Sequence, residues 1–182
     1  AVQSEPLAMV EMLKRLAKVN TRIRRLSIPT IASVQGAAIG GGCGLMVVCD
    51  FAVTHPEAKV GYPEVDLGIC PAVIAPWLIK RIGPGKARAM LLAGGTMSGK
   101  EGFEAGLATH ITPLDELENQ VQKLTRRLLK GGPNALAATK AWLNELDGSL
   151  DDALLEKGGE ISARLIQEDE AQSRLRKAFG GN

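Results

Sequence analysis

Apolar residues near the start of the chain recur at steps of three and four. Met9, Leu16 and Ile23 belong to this series, which places its members on one face of a helix. A Ser4 cap and a proline in the first turn suit the beginning of such a helix. Lysines and arginines fill the opposite face, and we interpret them as a solvated surface, with attraction of a phosphate-bearing ligand as the alternative. The pattern therefore predicts an amphipathic helix that ends near Leu26.

Between residues 28 and 112, short β-branched segments alternate with helical ones. Strands are predicted at the segments TIASV, FAVTH, AKVGYPE and LATHIT. Helices are predicted at GLMVVCD, VIAPWLIKRIG, GKARAMLLAG and SGKEGFEAG, the last with Ser98 as its cap and Gly106 as its end. Alternation of strand and helix at this spacing is typical of parallel crossovers. We therefore predict an α/β core over residues 1–112.

The pattern of residues 113–182 is almost entirely helical. Leucines and a valine between Leu117 and Leu128 line one face of a first helix, and a second is predicted from Pro133 to Leu146. Ser149 and Asp152 resemble a capping box for a last helical region, which glycines 158 and 159 should interrupt. Helical regions of this kind often pack against another subunit. We therefore predict a C-terminal helical region, residues 113–182, that contributes to oligomerisation.

Composition and charge exclude several classes of protein. With 182 residues, of which 45% are hydrophobic, the chain is long enough to bury one core. A net charge of +2 is too small to predict binding to nucleic acid. No apolar run approaches the roughly 20 residues that span a membrane, and no signal-peptide pattern is seen, so we predict a cytoplasmic protein without a membrane partner. The three cysteines and two histidines lack zinc-site spacing, so no metal site is predicted.

The segment VQGAAIGGGCGLMVVCD places five glycines between a predicted strand and a predicted helix. The first amides of a helix have no acceptor within it, and the helix dipole adds positive charge there. Absent side chains at Gly40, Gly41 and Gly42 would let a ligand approach these amides, although glycines also allow close packing of helix on strand. The spacing fits neither a dinucleotide fingerprint nor a P-loop. The segment therefore suits a transient oxyanion better than a nucleotide.

Glu64 is the second candidate for chemistry. It follows Pro63 at the end of a predicted strand, and the segment VDLGICPAVIAP after it is mainly apolar. Apolar surroundings raise the pKa of a carboxyl group, which makes it a usable general acid or base near neutral pH. A structural role, in which the carboxylate accepts hydrogen bonds from loop amides, is the alternative.

Three segments carry a resemblance to a known family. IPTIASVQGAAIGGGCGLMVVCDFAV, GYPEVDLGICP and GKARAMLLAGGTMSGKEGFEAGLATHITPLDEL resemble the crotonase superfamily of enoyl-CoA hydratases and isomerases, from about Ile28 to the C-terminus. The resemblance implies a ββα superhelix core with a C-terminal helical oligomerisation region, assembled as a homotrimer or a dimer of trimers. It also implies an acyl-CoA thioester substrate and no separate cofactor, because coenzyme A is part of that substrate.

The resemblance also implies roles for individual residues. The Gly41 amide matches one of the two amides that hold the thioester oxygen, and Glu64 matches a catalytic glutamate. Substrate-binding positions match Gly40, Gly42, Pro71 and Ala72. The family segment that supplies the first oxyanion amide has no counterpart in this sequence, so we expect either that residues are missing from it or that the chain is a fragment that folds but catalyses poorly.

The number of candidate catalytic carboxylates indicates the type of reaction. Hydratases of the family commonly carry two catalytic glutamates, whereas Gly44 stands at the first position here and only Glu64 remains. One carboxylate suffices to move a proton between two carbons, so we favour double-bond isomerisation over hydration. An enoyl-CoA or glutaconyl-type CoA hydratase is the first alternative, because the segment CPAVIAPWLIKRIG also resembles such enzymes. A noncatalytic acyl-CoA-binding or assembly module is the second.

Overall fold

Two small sheets form the first half of the chain in the computed structural model, which describes residues 6–179. One sheet is parallel, in the order β1-β3-β6, and Ile31 lies opposite Phe51. The other has the order β2-β4-β5, with β4 parallel to β2 and antiparallel to β5. The strands are β1 (Ile31–Ser33), β2 (Ala37–Ile39), β3 (Phe51–Thr54), β4 (Lys59–Gly61), β5 (Thr96–Ser98) and β6 (His110–Ile111).

Helices follow the strand pairs and make up the second half of the chain. The strands β1 and β2 are followed by α2, and the strands β3 and β4 by α3. In each pair, one strand belongs to each sheet, which produces successive ββα turns. The predicted α/β class is therefore confirmed. The helices are α1 (Pro6–Arg24), α2 (Gly41–Val48), α3 (Ala75–Ile82), α4 (Pro84–Ala93), α5 (Gly99–Ala105), α6 (Leu117–Leu128), α7 (Pro133–Leu146), α8 (Asp152–Leu165) and α9 (Asp169–Phe179), with 3₁₀ helices at Val65–Leu67 and Leu114–Glu116.

The core lies where α2 and α3 pack against the sheets. Val53, Val60 and Leu78 are fully buried there, and Trp77 is almost so. Burial of such apolar surface is the main favourable term in folding. Among the helices described in residues 6–179, none is both long enough and apolar enough to cross a lipid bilayer.

The predicted ends of α5 are confirmed. The Ser98 hydroxyl accepts a hydrogen bond from the Glu101 amide at 3.2 Å, and the Glu101 carboxylate accepts from the Ser98 amide at 2.8 Å. This reciprocal pair satisfies amides that the first helical turn leaves free. Gly106 ends the helix with a φ of 96°, a conformation that glycine adopts without steric cost.

Two predictions about α8 are wrong. Asp151, and not Ser149, caps the helix by accepting the Leu154 amide at 2.9 Å. The Ser149 hydroxyl accepts from Arg24 instead, and the Asp152 carboxylate accepts from Arg25. The helix also continues through both central glycines. A Cβ atom on Gly158 would lie 2.6 Å from the Ala72 carbonyl oxygen, so this glycine permits close packing and does not break the helix.

The C-terminal helices pack back onto the first half of the chain. Arg25, just after α1, and Asp152 of α8 form an ion pair at 2.7 Å, and Leu155 of α8 joins the same buried cluster as Val47 of α2. Lysines of α1 and acidic residues of α8 line one groove, and the lysines and arginines of the predicted basic face within α1 are exposed to solvent. The division at residue 113 stays a prediction, and Ser4 lies outside the described residues.

Candidate active site

The glycine run forms the turn that leads into α2. Gly40 has a φ of 57° and donates its amide to the Gly61 carbonyl of β4 at 2.8 Å. Helix α2 begins at Gly41, so the amides of Gly41, Gly42 and Cys43 have no acceptor within the helix. The positive end of the helix dipole lies at the same point. This turn can therefore stabilise negative charge on a ligand atom.

Close packing explains two of these glycines. A Cβ atom on Gly40 would lie 3.2 Å from Oε1 of Glu64, and one on Gly41 would lie 2.9 Å from a methyl carbon of Leu16 on α1. Nothing within 4 Å would meet a Cβ atom on Gly42, so the space beside it is open. Close packing thus accounts for Gly40 and Gly41, and the open space beside Gly42 is consistent with approach of a ligand to the amides.

The Glu64 carboxylate lies against the Gly40 turn. Glu64 follows β4 and precedes the 3₁₀ helix Val65–Leu67, which directs its side chain toward the start of α2. Its Oε2 atom is buried without a hydrogen-bond partner among the described residues. Burial raises the pKa of this carboxyl group above its ordinary value, and a hydrogen bond from its own backbone amide opposes that shift in part.

Ile74 fills the space one helical turn from Gly40. Gly44 donates its amide to the Gly40 carbonyl, so the two glycines lie on the same face of α2. A Cβ atom on Gly44 would lie 3.1 Å from Cγ1 of Ile74. A larger side chain at position 44 would therefore crowd the Ile74 side chain.

Cys43 belongs to the core beneath the same turn. It is completely buried, and the Tyr62 hydroxyl donates to its carbonyl oxygen at 3.5 Å. Burial raises the pKa of its thiol to about 11, so the thiol stays protonated at neutral pH. Across residues 6–179, no group of three or more His, Cys, Asp and Glu side chains is placed to hold a metal ion.

Pro71 and Ala72 lie in a separate, mainly apolar cavity of about 790 Å³. It opens between α3 and α4 on one side and α8 on the other. Of the described residues that line this cavity, none is Glu64 or a glycine of the turn. Ile69 also lines it and donates its amide to the Glu64 carbonyl at 2.8 Å, so the cavity and the Glu64 loop are neighbours. The predicted residues therefore form two adjacent groups.

Sequence reasoning missed the contacts that α8 makes with this region. The Ser162 hydroxyl donates to the Cys70 carbonyl at 2.8 Å, and Gly158 lies against Ala72. A glycine in a strong helical pattern can indicate close packing, and this signal was present at Gly158. Nothing in the local pattern pointed to Ser162 or to Ile74, because both act on residues distant in sequence.

Comparison with known proteins agrees with this architecture. Residues 4–179 match the family model described as enoyl-CoA hydratase/isomerase. A crotonyl-CoA hydratase from Syntrophomonas wolfei is 38% identical over 129 residues, which cover 70% of this chain and 50% of the relative. A 2,3-dehydroadipyl-CoA hydratase from Escherichia coli is 33% identical, over 68% of this chain and 49% of its own length.

Solved structures give the same result for the fold. An enoyl-CoA hydratase from Mycobacterium avium superposes with a TM-score of 0.85 at 29% identity, over 94% of this chain and 67% of that one. The predicted crotonase-like fold is therefore confirmed. The chain spans about half the length of the curated relatives it matches. Both the sequence match and the shared fold show that this chain belongs to the enoyl-CoA hydratase/isomerase family.

Proposed function

We propose that this chain acts on an acyl-CoA thioester, with Glu64 as general acid and base and the Gly41 amide as an oxyanion donor. The observation that supports this most directly is the Glu64 carboxylate beside Gly40, with Oε2 buried and unpartnered among the described residues. A carboxylate with a raised pKa can both remove and return a proton near neutral pH.

The proposed reaction moves a double bond. Glu64 takes a proton from the carbon next to the thioester carbonyl of a 3-enoyl-CoA, and the electrons shift onto the carbonyl oxygen. The Gly41 amide donates to that oxygen, and one such donor contributes about 2.7–4 kcal/mol of transition-state stabilisation. Glu64 then returns the proton to the fourth carbon. No separate cofactor is needed in this proposal.

Ile74 supports isomerisation over hydration. Hydration needs a water molecule that is positioned and deprotonated, whereas Ile74 occupies the space beside Gly44 that a second carboxylate would need. Hydration is the second candidate, because the relatives from Syntrophomonas wolfei and Escherichia coli are both named as hydratases. A noncatalytic acyl-CoA-binding or assembly module is the third.

A product assay separates these candidates. We expect 3-enoyl-CoA to be converted to 2-enoyl-CoA faster than 2-enoyl-CoA or glutaconyl-CoA gains water, because the described site offers one carboxylate. Chromatography of the thioester products, with the full-length protein, measures both rates. Rapid hydration would make the chain a hydratase, and thioester binding without turnover would make it a noncatalytic module.

We also propose that the C-terminal helices mediate assembly into a homotrimer or a dimer of trimers. Leu129, Trp142 and Leu146 are large apolar residues of this region that are 77%, 56% and 63% exposed in the single chain. Trp142 and Leu146 are four residues apart on α7 and so share one face, and exposed apolar faces are typical of interfaces between proteins. A cytoplasmic location stays a prediction.

Sedimentation tests the proposed assembly. We expect the protein to sediment as a trimer or hexamer, and Trp142→Lys with Leu146→Lys to shift it toward the monomer, because charged side chains are costly in an apolar interface. Glu145→Lys, at an exposed residue of the same helix, is the matched control. A wild-type monomer at all concentrations would contradict this proposal.

A further inference from the structure

The cavity that contains Pro71 and Ala72 carries charge of one sign. Its walls come from α3, α4, α8 and the loop before α3, and most of the lining side chains are apolar. Among the described residues that line it, the charged ones are Arg88 of α4 and Lys157 of α8. Both are cationic, so the cavity combines an apolar interior with an excess of positive charge.

Each cation lies on a helix face whose other cavity-lining residues are mainly apolar. Arg88 lies one turn before Leu91 and Leu92, and Lys157 lies between Leu154 and Ile161 at helical spacing. Both side chains are solvent-exposed, as long cationic side chains at the edge of an apolar surface usually are.

Neither cation has an acidic partner. Within residues 6–179, neither Arg88 nor Lys157 makes a side-chain hydrogen bond or ion pair. Many other exposed cations also lack a partner, but these two line a single apolar cavity that no acidic side chain of the described residues lines. Two free cations beside low-dielectric walls create a local positive potential that attracts an anion. The cavity therefore suits a ligand that carries an anionic group.

The cavity lies next to the Glu64 loop, which points to the acyl-CoA substrate as its ligand. Ile69 lines the cavity and donates its amide to the Glu64 carbonyl, so the cavity is adjacent to the Glu64 loop. A volume of about 790 Å³ is within the range of small-molecule sites. We propose that the acyl group of a substrate that reacts at Glu64 extends into this cavity and ends in a carboxylate, which Arg88 and Lys157 bind. This inference rests on the proposed function.

A pair of matched thioesters tests the inference. 3-Hexenedioyl-CoA and 3-hexenoyl-CoA are both 3-enoyl thioesters with six acyl carbons, and only the first ends in a carboxylate. We expect Arg88→Gln and Lys157→Met each to lower kcat/KM for isomerisation of 3-hexenedioyl-CoA about tenfold, as loss of a charged hydrogen bond does, and to leave that for 3-hexenoyl-CoA unaffected. Lys123→Met, at an exposed residue of α6 outside the cavity, should change neither value.

Binding measurements separate this inference from the proposed chemistry. Calorimetry with the unreactive glutaryl-CoA and pentanoyl-CoA, on the wild type and the same variants, needs no turnover. Tighter binding of glutaryl-CoA that is lost in the variants supports the inference even if Glu64 proves not to be catalytic. Equal weakening for both thioesters would assign the cations to the phosphates of coenzyme A and overturn it. Equal wild-type affinities for the two thioesters would overturn it as well.

Discussion

Replacing Glu64 by glutamine should lower kcat for the acyl-CoA thioester by about 100- to 10,000-fold, the usual contribution of a general acid or base. The amide has nearly the same shape as the carboxyl group but cannot take and return a proton. Affinity for the thioester should change little, because the proposed binding contacts come from other residues. Steady-state kinetics and calorimetry with the full-length protein measure the two effects separately.

The raised pKa of Glu64 predicts how stability and kcat change with pH. Burial raises this pKa, so the folded protein holds the proton more tightly than the unfolded chain does. Stability therefore falls as pH rises from the ordinary carboxyl value of 4.5 through the raised value, and the ionised carboxylate is destabilising at neutral pH. Glu64→Gln should then keep or raise Tm, while wild-type kcat should decline as pH falls through the raised pKa.

Glu104→Gln provides the matched control for this variant. Glu104 is exposed on α5, so its substitution should alter neither kcat nor Tm. Unchanged turnover in Glu64→Gln would reject the catalytic role of Glu64. If Glu64→Gln loses activity and its Tm also falls markedly, the loss of activity is due to unfolding, and Glu64 has a structural role.

Replacing Gly61 by alanine should destabilise the fold by roughly 2–4 kcal/mol, from backbone strain and steric overlap together. Gly61 has a φ of 145°, which side-chain-bearing residues rarely adopt. A Cβ atom there would lie 2.6 Å from the Gly95 carbonyl oxygen and 2.8 Å from the Thr96 Cα, both backbone atoms of the neighbouring segment. Urea unfolding followed by circular dichroism measures the free energy of unfolding.

The same substitution should also reduce activity. Gly61 accepts the Gly40 amide at 2.8 Å, so displacement of β4 would move the turn that holds Gly41. Gly36→Ala is the control, because its φ is not positive and nothing within 4 Å would meet the added methyl group. That change should shift stability by less than about 1 kcal/mol. If both variants unfold at the same urea concentration, the close contact between Gly61 and the Gly95–Thr96 backbone does not limit the stability of the fold.

Local sequence signals predicted the regular elements well where neighbouring residues determine them. Ser98 and Glu101 are three residues apart and form the predicted cap, and α7 spans Pro133–Leu146 as its apolar pattern indicated. The strands β2 and β5 were not predicted, because each stands beside glycines and lacks a run of β-branched residues. The cap of α8 was assigned to the wrong residue because Arg24 and Arg25, far away in sequence, bind the Ser149 hydroxyl and the Asp152 carboxylate.

The sequence alone determined the family, through the glycine run and the Pro63-Glu64 pair in their order and spacing. Only the tertiary structure decided that Glu64 lies against Gly40, that Ile74 fills the space beside Gly44, and that Arg88 and Lys157 share one cavity. The physical reason is that helix caps, turns and apolar periodicity depend on residues adjacent along the chain. Contacts between loops and helices tens of residues apart depend instead on how the ββα turns stack, and no local pattern encodes that path.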